Sequence, residues 1–580
     1  MNENIRIIGN LKWVIKIIYG KDKAYVFFAF LSIIVNGTFN PVMLLVMQKI
    51  VNSFQEYSNG KIVYHIIIYV LIQIVVTGFN NYTNLYYDKF ERRFNVEVGE
   101  MILKKIKHLK LSDFENSDTL DIISRAQNVS GSDLVNYFRG FISMSTEIIS
   151  LFSYLTILLF LKVWIVIVVM TFPIVTFIFD KKINKRIFEI VTNRTNDSRK
   201  IWYIQHLITY GSYFKELRIF DLFDMYIEKY KKINAIFNQQ DDIIIRDKTI
   251  LITVIGFIEG LFSGGIFYYI IGLGMEKKIL LGDVITYSRA IMDGKNTILT
   301  ILLKISSLFK ESLFIDQLKY FLNINERICN KSRQVNKIKK IEIKNLYFSY
   351  GEKCILNNIN LTIDSNEKIA IVGRNGCGKT TLSKIIMGLY EDYDGEILIN
   401  GISLKGYDIK SYYKKISGLF QDYVKFEATI RENIAFGNIK IIYDDEKIYD
   451  IAKKFNILDM ICNFKNGLDT QLGMWFDDGV SLSVGQWQKI ALCRAFSRDS
   501  DLIVLDEPNA SMDNITDREI SDLYSKIMKD RIGIIIAHKF NRLVEKMDKI
   551  IVMDNGKIVE IGTHDELIKK NGIYRKMSEI

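Results

Sequence analysis

Proline is nearly absent from this sequence, with three residues in 580. A proline-rich linker and a collagen-like fibre are therefore excluded, because both need proline at frequent intervals. Cysteine is also rare, and its five residues show no metal-ligand spacing: Cys329, Cys354, Cys377, Cys462 and Cys493. Their position in the polar C-terminal part indicates a reduced, cytosolic setting. Because no thiol precedes Cys329, we expect no cysteine-protease domain at the N-terminus.

Charge and hydrophobicity are unevenly distributed along the chain. Lys and Arg number 77 against 66 Asp and Glu, which gives a net charge of +11, and 49% of the residues are hydrophobic. This composition excludes a disordered or fibrous protein. The apolar residues concentrate before position 310, unlike those of an ordinary soluble enzyme. The chain is also too long for a single hydrophobic core.

Long runs of apolar residues dominate the first part of the chain. A helix of about 20 apolar residues crosses the roughly 30 Å of membrane hydrocarbon. The last run is amphipathic, since it contains Asp283, Arg289, Asp293 and Lys304. We predict six membrane spans, at 24–48, 62–87, 140–161, 163–179, 249–275 and 279–309.

The connections between these runs predict the orientation of the chain. Loops 88–136 and 181–248 hold roughly 22 Lys and Arg, against roughly five in the other connections, so the positive-inside rule places both loops in the cytoplasm. Six spans then return residues 341–580 to the cytoplasm of a multi-pass cell-membrane protein. Apolar residues at helical spacing in segment 7–18 predict either an interfacial amphipathic helix or an extension of the first span.

A polar, basic segment at 324–340 is the predicted linker between two domains. Residues 1–323 form the predicted α-helical transmembrane domain, with the N-terminal helix and the long cytoplasmic loops. Because those loops keep the helical period, the membrane helices should continue beyond the bilayer. Residues 341–580 form the predicted α/β domain, which carries the sequence motifs for nucleotide binding.

The motif GRNGCGKT fits the phosphate-loop pattern GxxxxGK[ST]. Its glycines let backbone N–H groups turn towards phosphate oxygens, Lys379 contacts the β- and γ-phosphates, and the Thr380 hydroxyl binds Mg²⁺. The motif lies between an apolar strand and a helix, whose N-terminus favours anions. The predicted ATP-binding residues of this segment are Gly373, Arg374, Asn375, Gly376, Cys377, Gly378, Lys379, Thr380 and Thr381.

Two acidic residues end another apolar strand, in the sequence DLIVLDE. Asp506 can hold Mg²⁺ through water, and Glu507 can polarise the attacking water as the catalytic base. A lone carboxylate after a buried strand is ordinarily a helix N-cap. Its place downstream of a phosphate loop favours the catalytic role.

The sequence LSVGQ at 482–486 opens a helix and resembles the LSGGQ signature of the ABC transporter superfamily. Other marks of that family occur in the expected order. The resemblance implies that Tyr350 stacks on adenine and that Gln421, in the Q-loop, joins Mg²⁺ binding. It also implies that Asp513 lies in the D-loop and that His538 is the catalytic switch histidine. The signature residues that it implies for a partner's ATP site are Ser483, Val484, Gly485 and Gln486.

The family resemblance implies two nucleotide domains that close head to tail, each signature capping the other's phosphate loop. Ser483 and the N–H of Gly485 form a second anion site that needs phosphate from a partner. Since one chain holds one such domain, we expect a homodimer. Val484 stands where the consensus has glycine, so either a tolerated variant or a slower ATPase is expected.

Six spans before one nucleotide domain resemble the half-transporter ABC exporters. Segments 111–125 and 214–220 resemble the coupling helices that dock on the nucleotide domain. Strings at 420–434, 469–479 and 485–496 resemble the nisin-type lantibiotic (class I lanthipeptide) exporters. The resemblance implies an ATP hydrolase that exports a modified peptide by alternating access. A multidrug or lipid exporter is the alternative of the same fold, and a soluble-type ABC ATPase acting on ribosomes or DNA is the alternative of another class.

Glu147 and Glu259 are ionisable residues within the apolar spans. Such residues are costly in hydrocarbon and normally face the bundle interior or a water-filled cavity. They therefore predict an acid-lined cavity for a cationic peptide, and a carboxylate that reaches the membrane interface is the alternative. The favoured interpretation has ATP and Mg²⁺ as cofactors and a second copy, the bilayer and a peptide as partners, with no nucleic acid.

Overall fold

The computed structural model describes residues 3–127, 129–211, 213–324, 333–508, 524, 528–537 and 542–578. Contacts divide the chain into two compact units. The first unit is Met1–Lys107 with Asp118–Ile324, and the second unit is His108–Ser117 with Asn325–Ile580. The short segment His108–Ser117 therefore belongs to the C-terminal unit, although it lies between long apolar helices in the sequence.

Helices account for nearly all of the described residues before position 325. Helices α1 to α11 are Glu3–Lys21, Lys23–Gln55, Asn59–Ile106, Leu111–Glu115, Ser117–Gln127, Gly131–Leu159, Val163–Asn193, Thr195–Thr209, Phe214–Ile219, Phe223–Met275 and Leu281–Leu322. Within the described part of the chain, four of them are long and apolar enough to cross a membrane, namely α2, α3, α6 and α10. The apolar stretch of α7, Val163–Phe179, is shorter. Helix α11 covers the remaining predicted span, and the count of six spans stays a prediction.

The long helices extend well past the length that a bilayer requires. Helix α3 has 48 residues and helix α10 has 53. At 1.5 Å per residue, α10 is about 80 Å long, more than twice the thickness of the hydrocarbon layer. The helices therefore extend beyond the predicted apolar runs into the connecting segments, as the helical period of those segments predicts. Large apolar side chains such as Val75, Phe257 and Leu261 are exposed on these helices, as a lipid-facing surface requires.

Helix α1 is separate from the first long apolar helix. Asp22 between them has an extended backbone, with φ of −149°, and its side chain accepts a hydrogen bond from the Tyr25 N–H at 3.0 Å. This bond caps the start of α2. Val14 and Ile18 on α1 are fully buried, and the Asn10 side chain donates to the carbonyl of Ser312 on α11. An extension of the first span is therefore wrong.

Two sheets form the framework of the second unit. Strands β1 to β10 are Ile341–Tyr350, Lys353–Ile363, Lys368–Gly373, Asp394–Ile399, Ile402–Ser403, Ile416–Leu419, Leu502–Asp506, Ile532–Ala537, Lys549–Asp554 and Lys557–Gly562. An antiparallel sheet has the order β2-β1-β4-β5, and a larger sheet has the order β10-β9-β3-β8-β7-β6. In the larger sheet, the β9–β10 pair is antiparallel and the other pairs are parallel.

Helices flank these strands in the second unit. The described helices α12 to α20 are Lys379–Ile386, Ile409–Tyr413, Ile430–Ala435, Asp445–Lys454, Leu458–Asn463, Val484–Phe496, Arg542–Glu545, His564–Lys569 and Ile573–Ser578. Helix α12 directly follows the phosphate loop after β3, and helix α17 begins within the signature sequence. The two motifs thus stand at helix N-termini, as the sequence predicts.

Both faces of the parallel sheet are buried. Along β3, Ile369 and Ile371 belong to one hydrophobic cluster, whereas Ala370 and Val372 belong to the other. Alternate side chains of a strand point to opposite faces, so a sheet covered on both faces needs continuous apolar strands. Val372 of β3 pairs with Ala537 of β8, and β7 pairs with β8 up to Asp506. The carboxyl ends of these strands therefore meet at one edge of the sheet, where ligands bind in open α/β folds.

Candidate nucleotide-binding site

The phosphate loop packs closely against neighbouring segments at Gly373 and Gly378, whereas its tip at Gly376 is unobstructed. A Cβ atom on Gly373, whose φ is +156°, would lie 2.2 Å from the carbonyl oxygen of Met553. A Cβ atom on Gly378, at φ of +102°, would lie 2.7 Å from Leu356 Cδ2. By contrast, a Cβ atom on Gly376 would meet no atom within 4 Å. The glycines thus allow the loop to fold tightly while its tip stays accessible to a ligand.

Lys379 is buried at the centre of the loop. Its side chain is held by carbonyl groups, because Nζ donates to Gly373 O at 2.8 Å and to Arg374 O at 3.0 Å. Burial lowers the pKa of Lys379, an effect that nearby Cys377 and Asp506 oppose. Among the residues that the structure describes, Lys379 forms no salt bridge. A buried cation that donates to carbonyl groups and forms no salt bridge with the described residues suits a polyanionic ligand.

Asp506, at the end of β7, provides a carboxylate beside Thr380. Asp506 is 3% exposed. Burial raises the pKa of its carboxyl group, and a hydrogen bond from the Thr380 side chain opposes that shift. Oδ1 of Asp506 is buried without a hydrogen-bond partner in the described part of the chain. A hydroxyl next to an unsatisfied carboxylate oxygen fits the oxygen ligands that Mg²⁺ prefers.

No group of three or more potential metal-binding His, Cys, Asp or Glu residues occurs within the described ranges. Mg²⁺ at phosphate-transfer sites typically uses one or two carboxylates, with substrate phosphates and water completing the shell. The arrangement of Thr380 and Asp506 is therefore compatible with Mg²⁺ that arrives together with a nucleotide.

Glu507 follows Asp506 in a strained backbone conformation. Its φ is +50°, in the left-handed region that residues other than glycine rarely adopt, and its N–H donates to Ile536 O at 3.0 Å. Such strain clusters at functional sites. The Nε2 atom of Gln421, just beyond β6, donates to Glu507 Oε2 at 3.0 Å. The structure thus brings together the predicted catalytic base and the predicted Q-loop residue, which are 86 positions apart.

Tyr350 ends strand β1, and the residue is 36% exposed. The ring contacts Phe348 edge-to-face at a centroid distance of 5.0 Å and Tyr390 at 5.8 Å. These contacts hold the ring while part of its surface stays open. An accessible, fixed aromatic ring is the feature that stacking on a nucleobase requires.

The signature residues form the N-terminus of α17. Ser483 is the N-cap: its hydroxyl accepts from the Gln486 N–H at 3.3 Å, and the Gln486 side chain accepts from the Ser483 N–H at 2.8 Å. Val484 is 55% exposed, and its carbonyl accepts from the Tyr423 hydroxyl at 3.1 Å. Gly485 is half-buried. The geometry leaves this helix N-terminus accessible to an anion.

The remaining predicted residues of the nucleotide site differ in how they are placed. Arg374 and Asn375 are exposed on the loop, whereas Cys377 and Thr381 are buried beneath it. Burial raises the pKa of Cys377, so its thiol stays protonated. The remaining two, Asp513 and His538, lie outside the described residues.

The acids predicted to line a substrate cavity each face a lysine of helix α11. In the first unit, Lys295 Nζ lies 2.7 Å from Glu259 Oε1, and Lys304 Nζ lies 3.9 Å from Glu147 Oε1. The Glu259 side chain is 14% exposed. The sequence-based prediction of an acid-lined cavity did not include these lysines, which balance the charge of both carboxylates.

Sequence reasoning missed a contact between the predicted coupling segment and the nucleotide site. Tyr390 is 4% exposed, and its hydroxyl lies 2.6 Å and 2.7 Å from the two carboxylate oxygens of Glu115 on α4. The two residues are 275 positions apart. No local pattern links residues at that separation.

Comparison with known proteins extends over both units. The family profile described as ABC transporter matches residues 356–510. The subtilin transport ATP-binding protein of Bacillus subtilis is 33% identical, over 100% of this chain and 95% of its own length. The nisin transport ATP-binding protein of Lactococcus lactis subsp. lactis is 31% identical, over 97% and 94%.

More distant similarities point to the same architecture. The ATP-dependent lipid A-core flippase of Escherichia coli (strain K12) is 25% identical, over 96% of this chain and 95% of its own. A solved structure of a bacterial Atm1-family ABC exporter with ATP bound has a TM-score of 0.76 and 18% sequence identity, and the match covers 96% of this chain and 98% of that chain. At that identity, the structural likeness establishes the fold.

Proposed function

This chain belongs to the ABC transporter family, and from that premise we propose that it exports a modified antimicrobial peptide precursor of the lanthipeptide type. It is an ABC exporter that couples ATP hydrolysis to transport, and a multi-pass membrane protein with a cytoplasmic ATPase domain. The proposal concerns its cargo, its assembly as a homodimer and the roles of its site residues.

The extent of similarity to the two lantibiotic transport proteins supports the peptide cargo. Their identity of 31–33% covers nearly the whole chain, including the helical first unit in which a substrate path would lie. Over a comparable length, the lipid A-core flippase is 25% identical. Because fold alone does not determine cargo, the likeness within the membrane helices carries more weight than the shared nucleotide motifs.

The described side chains support a division of labour in ATP hydrolysis. Lys379 and the phosphate loop bind the triphosphate, and Tyr350 stacks on the adenine. Glu507 polarises the attacking water, and Gln421 holds the Glu507 carboxylate in place through their hydrogen bond. When bound, Mg²⁺ would be held by Thr380, Asp506 and Gln421, and it would neutralise developing negative charge on the phosphates. We assign His538 the role of switch histidine and Asp513 that of the D-loop residue by family resemblance.

The accessible signature helix supports a homodimer. Val484 and Ser483 are exposed at the N-terminus of α17. A helix N-terminus with free capacity for an anion gains its ligand when a second copy presents its own bound nucleotide. Ile219 and Phe220 of the second predicted coupling segment are 77% and 66% exposed. A second copy would also cover this apolar surface.

Reconstitution tests the proposed cargo. The purified chain in proteoliposomes is given ATP together with a modified nisin-type precursor that retains its leader, a lipid A-core preparation, or a cationic drug. We expect the precursor alone to stimulate ATP hydrolysis and to accumulate inside vesicles, as measured by mass spectrometry. Stimulation by the lipid and not by the precursor would contradict the peptide proposal and favour a lipid exporter. Glu507→Gln in the same vesicles controls for uptake that does not need hydrolysis.

A further inference from the structure

We propose that Tyr390 is a positioning residue for ATP binding, which ties the adenine-stacking ring of Tyr350 to Glu115 on helix α4. The inference rests on the proposed role of Tyr350. Helix α4 lies in sequence between the long apolar helices α3 and α6, yet its segment His108–Ser117 belongs to the second unit. The link thus connects a loop of the transmembrane domain with the base-binding end of the nucleotide site.

The three side chains form a directed chain of hydrogen bonds. The hydroxyls of Tyr350 and Tyr390 are 2.8 Å apart, and that of Tyr390 lies 2.6–2.7 Å from both carboxylate oxygens of Glu115. An ionised carboxylate only accepts, so the single proton of Tyr390 is donated to Glu115. The Tyr390 oxygen must then accept from Tyr350. The Tyr350 ring is therefore held through a bond whose direction Glu115 determines.

The central bond is partly buried, because its donor Tyr390 is buried although the Glu115 side chain is 36% exposed. Tyr390 is 4% exposed, and burial, with a further contribution from Glu115, raises the pKa of its hydroxyl. The hydroxyl therefore stays protonated as a donor at physiological pH. Hydrogen bonds to charged acceptors are stronger than neutral ones, and more so away from water.

Two ion pairs place α4 beside the same site. Lys384, in the last turn of α12, lies 3.8 Å from Glu115, and Lys110 lies 3.1 Å from Asp392. The Asp392 side chain is 68% exposed, so its pair contributes little by itself. Lys384 is more informative, because α12 begins at Lys379 of the phosphate loop. One carboxylate thus contacts both the base-binding tyrosines and the helix that carries the phosphate loop.

The consequence is a dependence of ATP affinity on the position of α4. When Glu115 is in place, the Tyr350 ring is already fixed in position, so ATP binding loses less side-chain entropy in ordering it. When the loop moves away, Tyr390 loses its acceptor and Tyr350 gains rotational freedom. A side chain of the segment between α3 and α6 therefore affects the KM for ATP without contacting the nucleotide.

Steady-state ATP hydrolysis by the purified full chain tests this link without any transported substrate. Tyr390→Phe keeps the ring and removes the hydroxyl, and Glu115→Ala removes the acceptor. We expect each to raise the KM for ATP about three- to ten-fold, with a smaller change in kcat. The double variant should be no worse than either single variant, because both break the same chain. Glu115→Gln, which keeps an acceptor oxygen, should restore most of the affinity.

Matched variants separate the link from other effects. Tyr407 is a buried tyrosine of the same hydrophobic cluster whose hydroxyl donates to Ile399 O at 3.2 Å, so Tyr407→Phe should leave the KM unchanged. Tyr350→Phe breaks the chain at a partly exposed ring, and it should reproduce the effect of Tyr390→Phe even if that variant folds poorly.

Two outcomes would overturn the inference in distinguishable ways. A raised KM in Tyr350→Ala together with an unchanged KM in Glu115→Ala would refute the link while leaving the adenine-stacking role intact. An unchanged KM in Tyr350→Ala would refute that role, and the link with it. Because neither measurement uses a transport substrate, both are independent of the proposed peptide cargo.

Discussion

Glu147 and Glu259 of the first unit each face a lysine on helix α11, whereas Lys379 and Asp506 of the second unit are buried and form no salt bridge with the residues that the structure describes. The Glu259–Lys295 pair is a closed contact at 2.7 Å. Asp506 retains a buried oxygen without a hydrogen-bond partner among the described residues. Burying charge is costly unless it is balanced. The charges of Glu147 and Glu259 are balanced by lysines of the same unit, whereas Lys379 and Asp506 are placed for a ligand that supplies further balance.

The difference separates charges that support the structure from charges that bind a ligand. Both units place ionisable residues in apolar surroundings, so residue type and burial do not distinguish the two roles. The distinguishing feature is whether the chain places an opposite charge within salt-bridge distance. On this criterion, an intramembrane acid with a lysine at hydrogen-bond distance contributes first to helix packing. Any contact of Glu259 with a cationic peptide must then compete with Lys295.

The largest effect is expected at Glu507. Glu507→Gln keeps the shape of the side chain and removes the charge that we propose polarises the attacking water. ATP hydrolysis should fall roughly 10²- to 10⁴-fold, the contribution typical of general base catalysis, while ATP binding persists. Phosphate release and binding of a fluorescent ATP analogue measure the two properties. Glu396→Gln, at an exposed acid of β4, is the matched control. Near-normal turnover in Glu507→Gln would remove it as the catalytic base.

A substitution of Lys379 tests whether a buried charge without a salt bridge destabilises the protein when no nucleotide is bound. Lys379→Met keeps the length of the side chain and removes a buried cation. Affinity for ATP should fall at least roughly 100-fold, yet the midpoint of thermal unfolding without nucleotide should rise by a few degrees. Calorimetry and nucleotide binding measure both. A lower midpoint would mean that the chain itself already balances the charge of Lys379.

Substitutions in the Glu259–Lys295 pair should change the midpoint of thermal unfolding in the direction opposite to that of Lys379→Met. Glu259→Gln or Lys295→Met leaves one uncompensated charge, so each should lower the unfolding midpoint by a few degrees. The double variant should recover most of the loss, with a coupling of about 1–3 kcal/mol. The exposed Glu228–Lys232 pair on α10, also at 2.7 Å, is the matched control and should show almost no coupling. Additive effects at Glu259 and Lys295 would show that the pair does not stabilise the helices.

How much the sequence predicts also differs between the units. Lys379 and Thr380 follow from a motif whose parts are adjacent in the chain, and the strand before Asp506 is a continuous apolar run. Local patterns therefore place these residues at one edge of the sheet. The pairing of Glu259 with Lys295 depends on how α10 and α11 are rotated about their axes, which hydrophobicity does not specify for helices that are apolar on most sides.

Tyr390 shows the same limit within the second unit. The sequence identified 111–125 as a coupling segment by resemblance, but it could not indicate which side chain α4 contacts. That contact depends on the folded position of a tyrosine 275 residues further on. The exact number of spans is similarly undetermined by pattern, because α11 mixes charged and apolar residues along its 42 positions.

The smallest effect is expected at Val484, where the two alternatives for the signature can be separated. Its side chain is 55% exposed, and its carbonyl accepts the bond from Tyr423, so Val484→Gly removes no buried packing from its own chain. If the branched side chain crowds nucleotide bound by a second copy, Val484→Ala should raise basal ATP hydrolysis and Val484→Gly should raise it further. The gain should reach about two- to three-fold, as expected for relief of roughly 0.5 kcal/mol of steric strain. Phosphate release at saturating ATP measures it, and the unfolding midpoint of each variant should stay within about a degree of the parent. Equal rates in all three proteins would identify valine as a tolerated variant of the signature. A graded loss of activity with unchanged stability would instead mean that the valine side chain contributes to contact with the proposed second copy.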